Sequence, residues 1–172
     1  MDLKNFIRDV PDFPIKGIVF KDITTLLENN NAFNHAINQM LEKLKNYSFD
    51  KIVAIESRGF IFASVLSYIT NKPLILIRKL NKLPADTESI EYDLEYGSSS
   101  VEIHKNSISK NDNVIIVDDL LATGGSAFAS IKLIEGMGGK ISGLIFLIVL
   151  TELKGGNILD ENNYKYSFII DY

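Results

Sequence analysis

Two adjacent carboxylates, Asp118 and Asp119, stand just before a short loop that combines hydroxyl residues with paired glycines. The backbone N–H groups at the start of a helix, together with the helix dipole, bind anions such as phosphate. Glycines let that backbone approach an oxygen closely, while carboxylates accept hydrogen bonds from vicinal hydroxyls. A sugar phosphate satisfies both halves of this pattern. The predicted phosphate loop consists of Ala122, Thr123, Gly124, Gly125 and Ser126.

Two common phosphate-binding loops are excluded, because the chain contains neither G-x-x-x-x-G-K-[ST] nor G-x-G-x-x-G. The alternative interpretation of the stretch is an acidic turn with a serine N-cap after an ordinary strand. The acidic pair directly before the two glycines favours the sugar-phosphate site.

The elements that would position these residues are those of a parallel α/β sheet. Residues 114–117 are an apolar, β-branched run, typical of a strand buried on both faces. We expect this strand to end before Asp118, because two carboxylates should not continue it. Further strands are predicted at 52–55, 74–77, 141–150 and 164–170, and helices at 3–8, 31–45 and 60–70. This order predicts a mostly parallel sheet flanked by helices.

The run Val-Asp-Asp-Leu-Leu-Ala-Thr-Gly-Gly, residues 117–125, resembles the 5-phosphoribosyl-1-diphosphate (PRPP) motif of type I phosphoribosyltransferases, and most of all the members that use adenine. The resemblance extends from about residue 13 to residue 150. It implies a hairpin lid and a small N-terminal hood added to the α/β sheet. It also implies transfer of the phosphoribosyl group of PRPP to adenine, giving AMP and pyrophosphate.

The predicted strand at 52–55 is followed by Glu56, Ser57, Arg58 and Gly59. Loops at the carboxyl ends of parallel strands gather on one edge of the sheet, which should bring Arg58 near the phosphate loop. The resemblance implies that this is a pyrophosphate loop with Ser57 and Arg58 as ligands, often with a cis peptide at Glu56–Ser57. The alternative is an N-capped helix with a solvated arginine.

Three basic residues, Arg78, Lys79 and Lys82, follow the next predicted strand on the same edge. A basic cluster is often only a solvated rim, but here it would face the departing pyrophosphate. Their segment resembles the family's Arg-Lys-x-x-Lys-Leu-Pro sequence, whose arginine can reach the neighbouring subunit's site. The resemblance therefore implies a homodimer.

A polar insertion between residues 79 and 112 could form a hairpin from 89–96 and 101–104. Long insertions of this kind often cover a site. Residues 92–97 resemble the family's lid segment, which makes Glu95 the candidate proton-transfer residue and Tyr96 the ring that helps to close the site. The alternative is an exposed hairpin with alternating charge.

The segment at 18–22 resembles the family's base-binding hood. Val19 and Lys21 would bind adenine through backbone groups and Phe20 through its ring, with Leu120 and Leu150 as apolar walls. The family usually has arginine where this chain has Lys21, so a side-chain role there is open. A buried edge segment is the alternative.

Composition limits the remaining possibilities. The 172 residues suit one domain, 1–172. A net charge of −4 does not indicate the basic surface that is typical of nucleic-acid-binding proteins. The absence of cysteine excludes disulfides and thiolate metal sites. No signal peptide or long apolar run is present, so we expect a cytoplasmic protein without a membrane partner.

By resemblance Mg²⁺ is required, bound through PRPP and pyrophosphate, with no residue assigned as a metal ligand. Two other functions stay open at this point: a transferase for a 6-oxopurine, and a PRPP-sensing regulatory protein. The acidic charge and the lack of a basic helix-turn-helix segment argue against the regulator.

Overall fold

The computed structural model describes residues 1–93 and 98–172. The strands of this part of the chain are β1 (Arg8–Pro11), β2 (Val19–Asp22), β3 (Lys51–Ile55), β4 (Leu74–Lys79), β5 (Thr87–Asp93), β6 (Ser98–His104), β7 (Asn113–Leu121), β8 (Lys140–Val149) and β9 (Tyr166–Asp171). The α-helices are α1 (Thr24–Glu28), α2 (Asn30–Leu44), α3 (Gly59–Thr70), α4 (Gly125–Gly136) and α5 (Gly155–Glu161). Short 3₁₀ helices lie at Leu3–Phe6 and Thr151–Leu153.

Seven strands form the main sheet in the order β5-β6-β4-β3-β7-β8-β9. The pairs from β4 to β9 are parallel, whereas β6 is antiparallel to both β4 and β5. The predicted hairpin is therefore confirmed as β5–β6. Strands β1 and β2 form a separate antiparallel ribbon, the hood, so the mostly parallel fold with a lid hairpin and a hood is confirmed.

The side chains of β7 alternate between two hydrophobic clusters, one on each face of the sheet. Ile115 and Val117 pack with α2 and α3, whereas Val114 and Ile116 pack with α4. Because successive side chains of a strand point to opposite faces, a strand covered by helices on both sides must be apolar throughout. This explains why the sequence of β7 shows no polar alternation before Asp118.

The expectation that this strand ends before Asp118 is wrong. Strand β7 continues to Leu121, and Asp118 pairs with Phe146 of β8. The last pair between β7 and its other neighbour is Ala54 with Val117. The acidic pair therefore lies where β7 extends beyond β3, at the edge of a cleft, and this position makes buried carboxylates possible in a strand.

Three smaller expectations are also corrected. The N-terminal helix is confined to Leu3–Phe6, and strand β1 follows it. Helix α1 and helix α5 were not predicted. The last strand begins at Tyr166 and pairs in parallel with β8. None of the helices in the described ranges has the length and apolar character needed to span a bilayer.

Candidate active site

A cleft of about 400 Å³ opens at the carboxyl ends of β3, β4 and β7, below the hood. It brings together residues from four separate parts of the sequence, as predicted for an open α/β sheet. Of the predicted site residues, those that line it are Phe20, Ser57, Arg58, Lys79, Asp118, Asp119, Leu120, Ala122, Thr123, Gly124 and Ser126. Glu56 and Leu121, which were not predicted, also line it.

The remaining predicted site residues that the structure describes lie around this cleft but do not line it. They are Val19, Lys21, Arg78, Lys82, Gly125 and Leu150. Gly125 is the first residue of α4, and the Leu150 N–H donates to the Leu121 carbonyl at 2.9 Å, which ties it to the end of β7. Glu95 and Tyr96 lie outside the described residues.

The phosphate loop ends at a helix N-terminus. Gly124 is the N-cap of α4 with φ of 85°, a left-handed conformation that favours glycine. The first intrahelical bond runs from the Phe128 N–H to the Gly124 carbonyl at 2.9 Å. The N–H groups of the first turn therefore have no partner within the helix. This is the donor arrangement that the sequence predicted for an anion.

Helix α5, which the sequence did not predict, packs against the phosphate loop. A β-carbon at Gly124 would lie 2.7 Å from the Gly155 carbonyl oxygen. A β-carbon at Gly155 would in turn overlap the carbonyl oxygen of Ala122. The two backbones pack in direct contact, so the position of the loop depends on a glycine more than 30 residues further along the chain.

The acidic pair is almost fully buried, with exposed fractions of 8% for Asp118 and 4% for Asp119. The Asp119 N–H donates to Asp118 Oδ1 at 2.8 Å. Burial, and then the charge of Asp119, raise the pKa of Asp118 well above its ordinary value. Burial also raises the pKa of Asp119, although the nearby Arg58 opposes this shift.

One oxygen of the pair has no hydrogen-bond donor among the described residues. Asp119 Oδ2 lies 2.8 Å from Arg58 Nε, but the geometry of this ion pair is not that of a hydrogen bond. The charge of Arg58 offsets part of the cost of burying this oxygen, and a ligand hydroxyl would supply the hydrogen bond that it still lacks. The Asp119 carboxylate is therefore suited to a hydroxyl-bearing ligand.

Arg58 connects the acidic pair to the hood. Its Nη1 donates to the Lys21 carbonyl at 3.2 Å, and its guanidinium carbon lies 4.8 Å from the centre of the Phe20 ring. The preceding peptide, Glu56–Ser57, is cis, as the resemblance implied. Arg58 is thus placed in the predicted region, between the hood and the end of β7.

Glu56 holds the end of β4 against this loop. Its carboxylate accepts from the Lys79 N–H at 2.8 Å and from Arg78 Nε and Nη2, each at 3.3 Å. Burial favours a higher pKa for Glu56, but these hydrogen bonds outweigh it and lower the pKa. The Arg78 side chain is therefore engaged with Glu56 and, at 3.1 Å, with the Lys82 carbonyl, whereas Lys79 lines the cleft.

Glu102 of β6 is a second carboxylate that the sequence did not single out. It is 3% exposed and accepts from the Lys82 and Leu83 N–H groups, both at 2.8 Å. Burial favours a higher pKa for Glu102, but the backbone N–H groups lower it. Glu102 thus ties the basic segment after β4 to the lid hairpin. No local pattern could reveal this, because its partners are backbone groups.

The family model of the phosphoribosyl transferase domain matches residues 22–171. An adenine phosphoribosyltransferase of Pelagibacter ubique (strain HTCC1062) is 52% identical over 172 residues, which cover 100% of this chain and 98% of the relative. The crystal structure of adenine phosphoribosyltransferase from Thermoanaerobacter pseudethanolicus superposes with a TM-score of 0.96 at 47% identity, covering 99% of this chain and 98% of the other. For the Giardia lamblia APRTase complexed with 9-deazaadenine, the TM-score is 0.93 at 32% identity, with 99% and 96% covered. With this identity over its whole length, the chain belongs to the phosphoribosyltransferase family, within the group of adenine phosphoribosyltransferases.

Proposed function

We propose that the protein transfers the 5-phosphoribosyl group of PRPP to adenine and releases AMP and pyrophosphate, a purine salvage reaction. The observation that carries the proposal is the buried Asp119 carboxylate in the same cleft as the helix N-terminus at Gly124. Its Oδ2 forms an ion pair with Arg58 but has no hydrogen-bond donor among the described residues. One end of the cleft suits a diol and the other a phosphate. Residues 1–172 would act as one domain.

In this proposal each end of PRPP has its own partners. The 5-phosphate lies on the backbone N–H groups of residues 122–126, and the ribose hydroxyls donate to Asp118 and Asp119. Arg58 and Lys79 balance the charge of the pyrophosphate, with the backbone of Ser57 beside them. Arg78 and Lys82 contribute from the edge of the cleft.

During transfer the bond from C1′ to the pyrophosphate oxygen breaks and a bond from C1′ to the purine nitrogen forms, while that nitrogen loses its proton. Positive charge develops on the ribose, as in glycosyl transfer generally. The acidic pair is placed to stabilise it, so catalysis depends mainly on positioning and charge. Glu95 as proton acceptor and Tyr96 as part of the lid stay predictions.

The hood supplies the selectivity for adenine in this proposal. Phe20 and Leu120 both line the cleft and would contact the faces of the base. The backbone groups of Val19 and Lys21 would bind its edge, with a carbonyl accepting from N6 and an N–H donating to N1. A 6-oxopurine would place an oxygen against that carbonyl and leave buried polar groups unpaired. Leu150 would close the apolar side.

Magnesium fits this site as an ion that arrives with the substrate. No cluster of three or more potential ligands occurs among the described His, Asp and Glu residues, so a protein cage for the ion is not available in residues 1–93 and 98–172. Mg²⁺ keeps several water ligands and binds readily to substrate phosphates, so PRPP would carry the ion through its pyrophosphate and its ribose hydroxyls. When bound, Mg²⁺ would offset the charge of the pyrophosphate.

A homodimer is part of the proposal. Helix α3, which follows the pyrophosphate loop, leaves Tyr68 87% exposed, Ile69 51% exposed and Ile61 36% exposed. Large apolar side chains exposed on one helix favour burial against a second copy. Sedimentation that shows a fully active monomer would contradict it. A cytoplasmic location stays a prediction from the sequence.

The proposal is tested by incubating the purified protein with PRPP, Mg²⁺ and adenine, hypoxanthine or guanine, and by separating the nucleotides formed. We expect AMP and pyrophosphate in equal amounts and little IMP or GMP. Asp118→Asn with Asp119→Asn should lower the rate by about a hundredfold or more, whereas Glu28→Gln with Glu42→Gln, two exposed carboxylates, should not. IMP or GMP as the main product, or no product, would contradict the proposal.

A further inference from the structure

The side chain of Lys21 is enclosed between a carboxylate and an aromatic ring. Its Nζ lies 2.7 Å from Asp9 Oδ1 and 3.8 Å from the centre of the Tyr172 ring, and the side chain is only 11% exposed. Asp9 stands directly opposite Lys21 in the β1–β2 ladder. The ammonium group is therefore bound to the hood on one side and to Tyr172 on the other.

Tyr172 is itself held firmly by the main sheet. Its N–H donates to the Val149 carbonyl at 2.9 Å. Its backbone oxygen accepts from the Thr151 N–H at 2.7 Å and from the Thr151 hydroxyl at 2.6 Å. These bonds fix the main chain of Tyr172 at the end of β8, so the contact of its ring with Lys21 ties the hood to that strand end.

The hood depends on such contacts, because a two-stranded ribbon is marginally stable by itself. Lys21 is central to them: its carbonyl accepts from Arg58, while its ammonium group contacts Tyr172. The carbonyl of Lys21 is thus held by Arg58, and its side chain is held by Asp9 and Tyr172. A shift of this residue would move the backbone groups that, in the proposed function, bind the edge of the base.

We propose that Tyr172 is a positioning residue for adenine, which acts through Lys21 to hold the β2 backbone at the distance that adenine requires. The inference rests on the proposed function. It gives the lysine at position 21 a definite side-chain role: the compact ammonium group lies on the ring as a cation–π contact. Tyr172 does not touch the base or PRPP in this proposal, so its effect should be confined to adenine binding.

The test compares Tyr172→Leu, which removes the ring, with Tyr172→Phe, which keeps it. A cation–π contact of this kind corresponds to roughly a three- to tenfold effect on binding. We expect Tyr172→Leu to raise the KM for adenine by that factor, with the KM for PRPP and kcat changed less than twofold, and Tyr172→Phe to restore the adenine KM. Calorimetric titration of the PRPP-free protein with adenine should show the weakest binding for Tyr172→Leu, with Tyr172→Phe close to the wild type.

The partner side chain supplies a matched pair of variants. Lys21→Met removes the contact with Asp9 as well as that with the ring, so it should raise the adenine KM at least as much as Tyr172→Leu does. The double variant should be no worse than Lys21→Met. Lys4→Met removes the other cation near this ring, at 5.3 Å from its centre, and should leave the adenine KM unchanged.

The proposal is overturned if Tyr172→Leu leaves the adenine KM unchanged, or if it raises the KM of adenine and PRPP equally, since the ring would then have only a general structural role. Failure of the proposed function is distinguishable, because the wild-type protein in the same assay would then form no AMP.

Discussion

The carboxylate of Asp118 packs directly against Gly59, the first residue of α3. A β-carbon at Gly59 would lie 2.8 Å from Asp118 Oδ1 and 2.9 Å from the Val117 carbonyl oxygen. Side chains are not accommodated at such distances, so a glycine is required where α3 begins beside the end of β7. This contact sets the position of the acidic pair relative to the pyrophosphate loop.

Replacement of Gly59 by alanine should therefore displace Asp118. Inserting a methyl group into a closely packed site costs about 1–3 kcal/mol, and we expect a lower melting temperature together with a higher KM for PRPP. The matched control is Gly136→Ala at the end of α4, where a β-carbon would meet no atom within 4 Å. Equal PRPP affinity in Gly59→Ala and the wild type would show that the contact is unimportant.

The buried acidic pair should make stability depend on pH. Burial raises the pKa of Asp118 in the folded protein above its ordinary value of 3.8. The contribution of Asp118 to the free energy of unfolding is therefore fully present below pH 3.8, and it is lost as the pH rises through the pKa of the folded protein. Asp118→Asn should therefore melt at a higher temperature than the wild type at pH 8, with a difference that shrinks towards pH 4, while its activity is low. Calorimetric melting across this pH range checks the sign, and a difference that grows towards acid pH would contradict it.

Helix α5 should affect PRPP binding, because Gly155 sets the position of the phosphate loop although it lies outside residues 117–125. Gly155→Ala would force the Ala122 carbonyl to move, because the added β-carbon overlaps its oxygen. We expect the KM for PRPP to rise about tenfold or more, as for a small displacement of a binding group, with a smaller change for adenine. Gly136→Ala is the control, since its β-carbon would meet no atom within 4 Å. Similar kinetics for the two variants would count against the role of Gly155.

Glu102 should be replaceable by glutamine but not by alanine. Glutamine keeps an oxygen that can accept from the Lys82 and Leu83 N–H groups, whereas alanine leaves both without this acceptor, at about 1–3 kcal/mol for a buried group. We expect Glu102→Ala to lower both the melting temperature and kcat, and Glu102→Gln to retain most of each. Glu88→Gln, at an exposed carboxylate of the same hairpin, is the control. Loss of function in Glu102→Gln equal to that in Glu102→Ala would refute the account.

The central fold and the phosphate loop are predictable because their signals are local. Residues 52–55 and 114–117 are continuous apolar runs, and the paired glycines after Asp118 and Asp119 need no distant partner to be recognised. The edge-of-sheet rule then places Arg58 and Lys79 beside them, and both line the cleft.

The features that were missed or mistaken depend on distant contacts. Whether β7 could continue through Asp118 depends on where its neighbour β3 ends. Helix α5 has seven residues and begins with two glycines, which have low helix propensity, so no periodic pattern reveals it. The partners of Glu102 and of the Lys21 side chain are separated from them by many residues in sequence.

The most direct measurement is a crystal structure of the protein with PRPP and Mg²⁺. The account predicts the 5-phosphate within hydrogen-bond distance of the backbone N–H groups of residues 122–126, and the two ribose hydroxyls on the carboxylates of Asp118 and Asp119. A sugar bound elsewhere in the cleft, or hydroxyls that leave Asp119 Oδ2 without a donor, would contradict it.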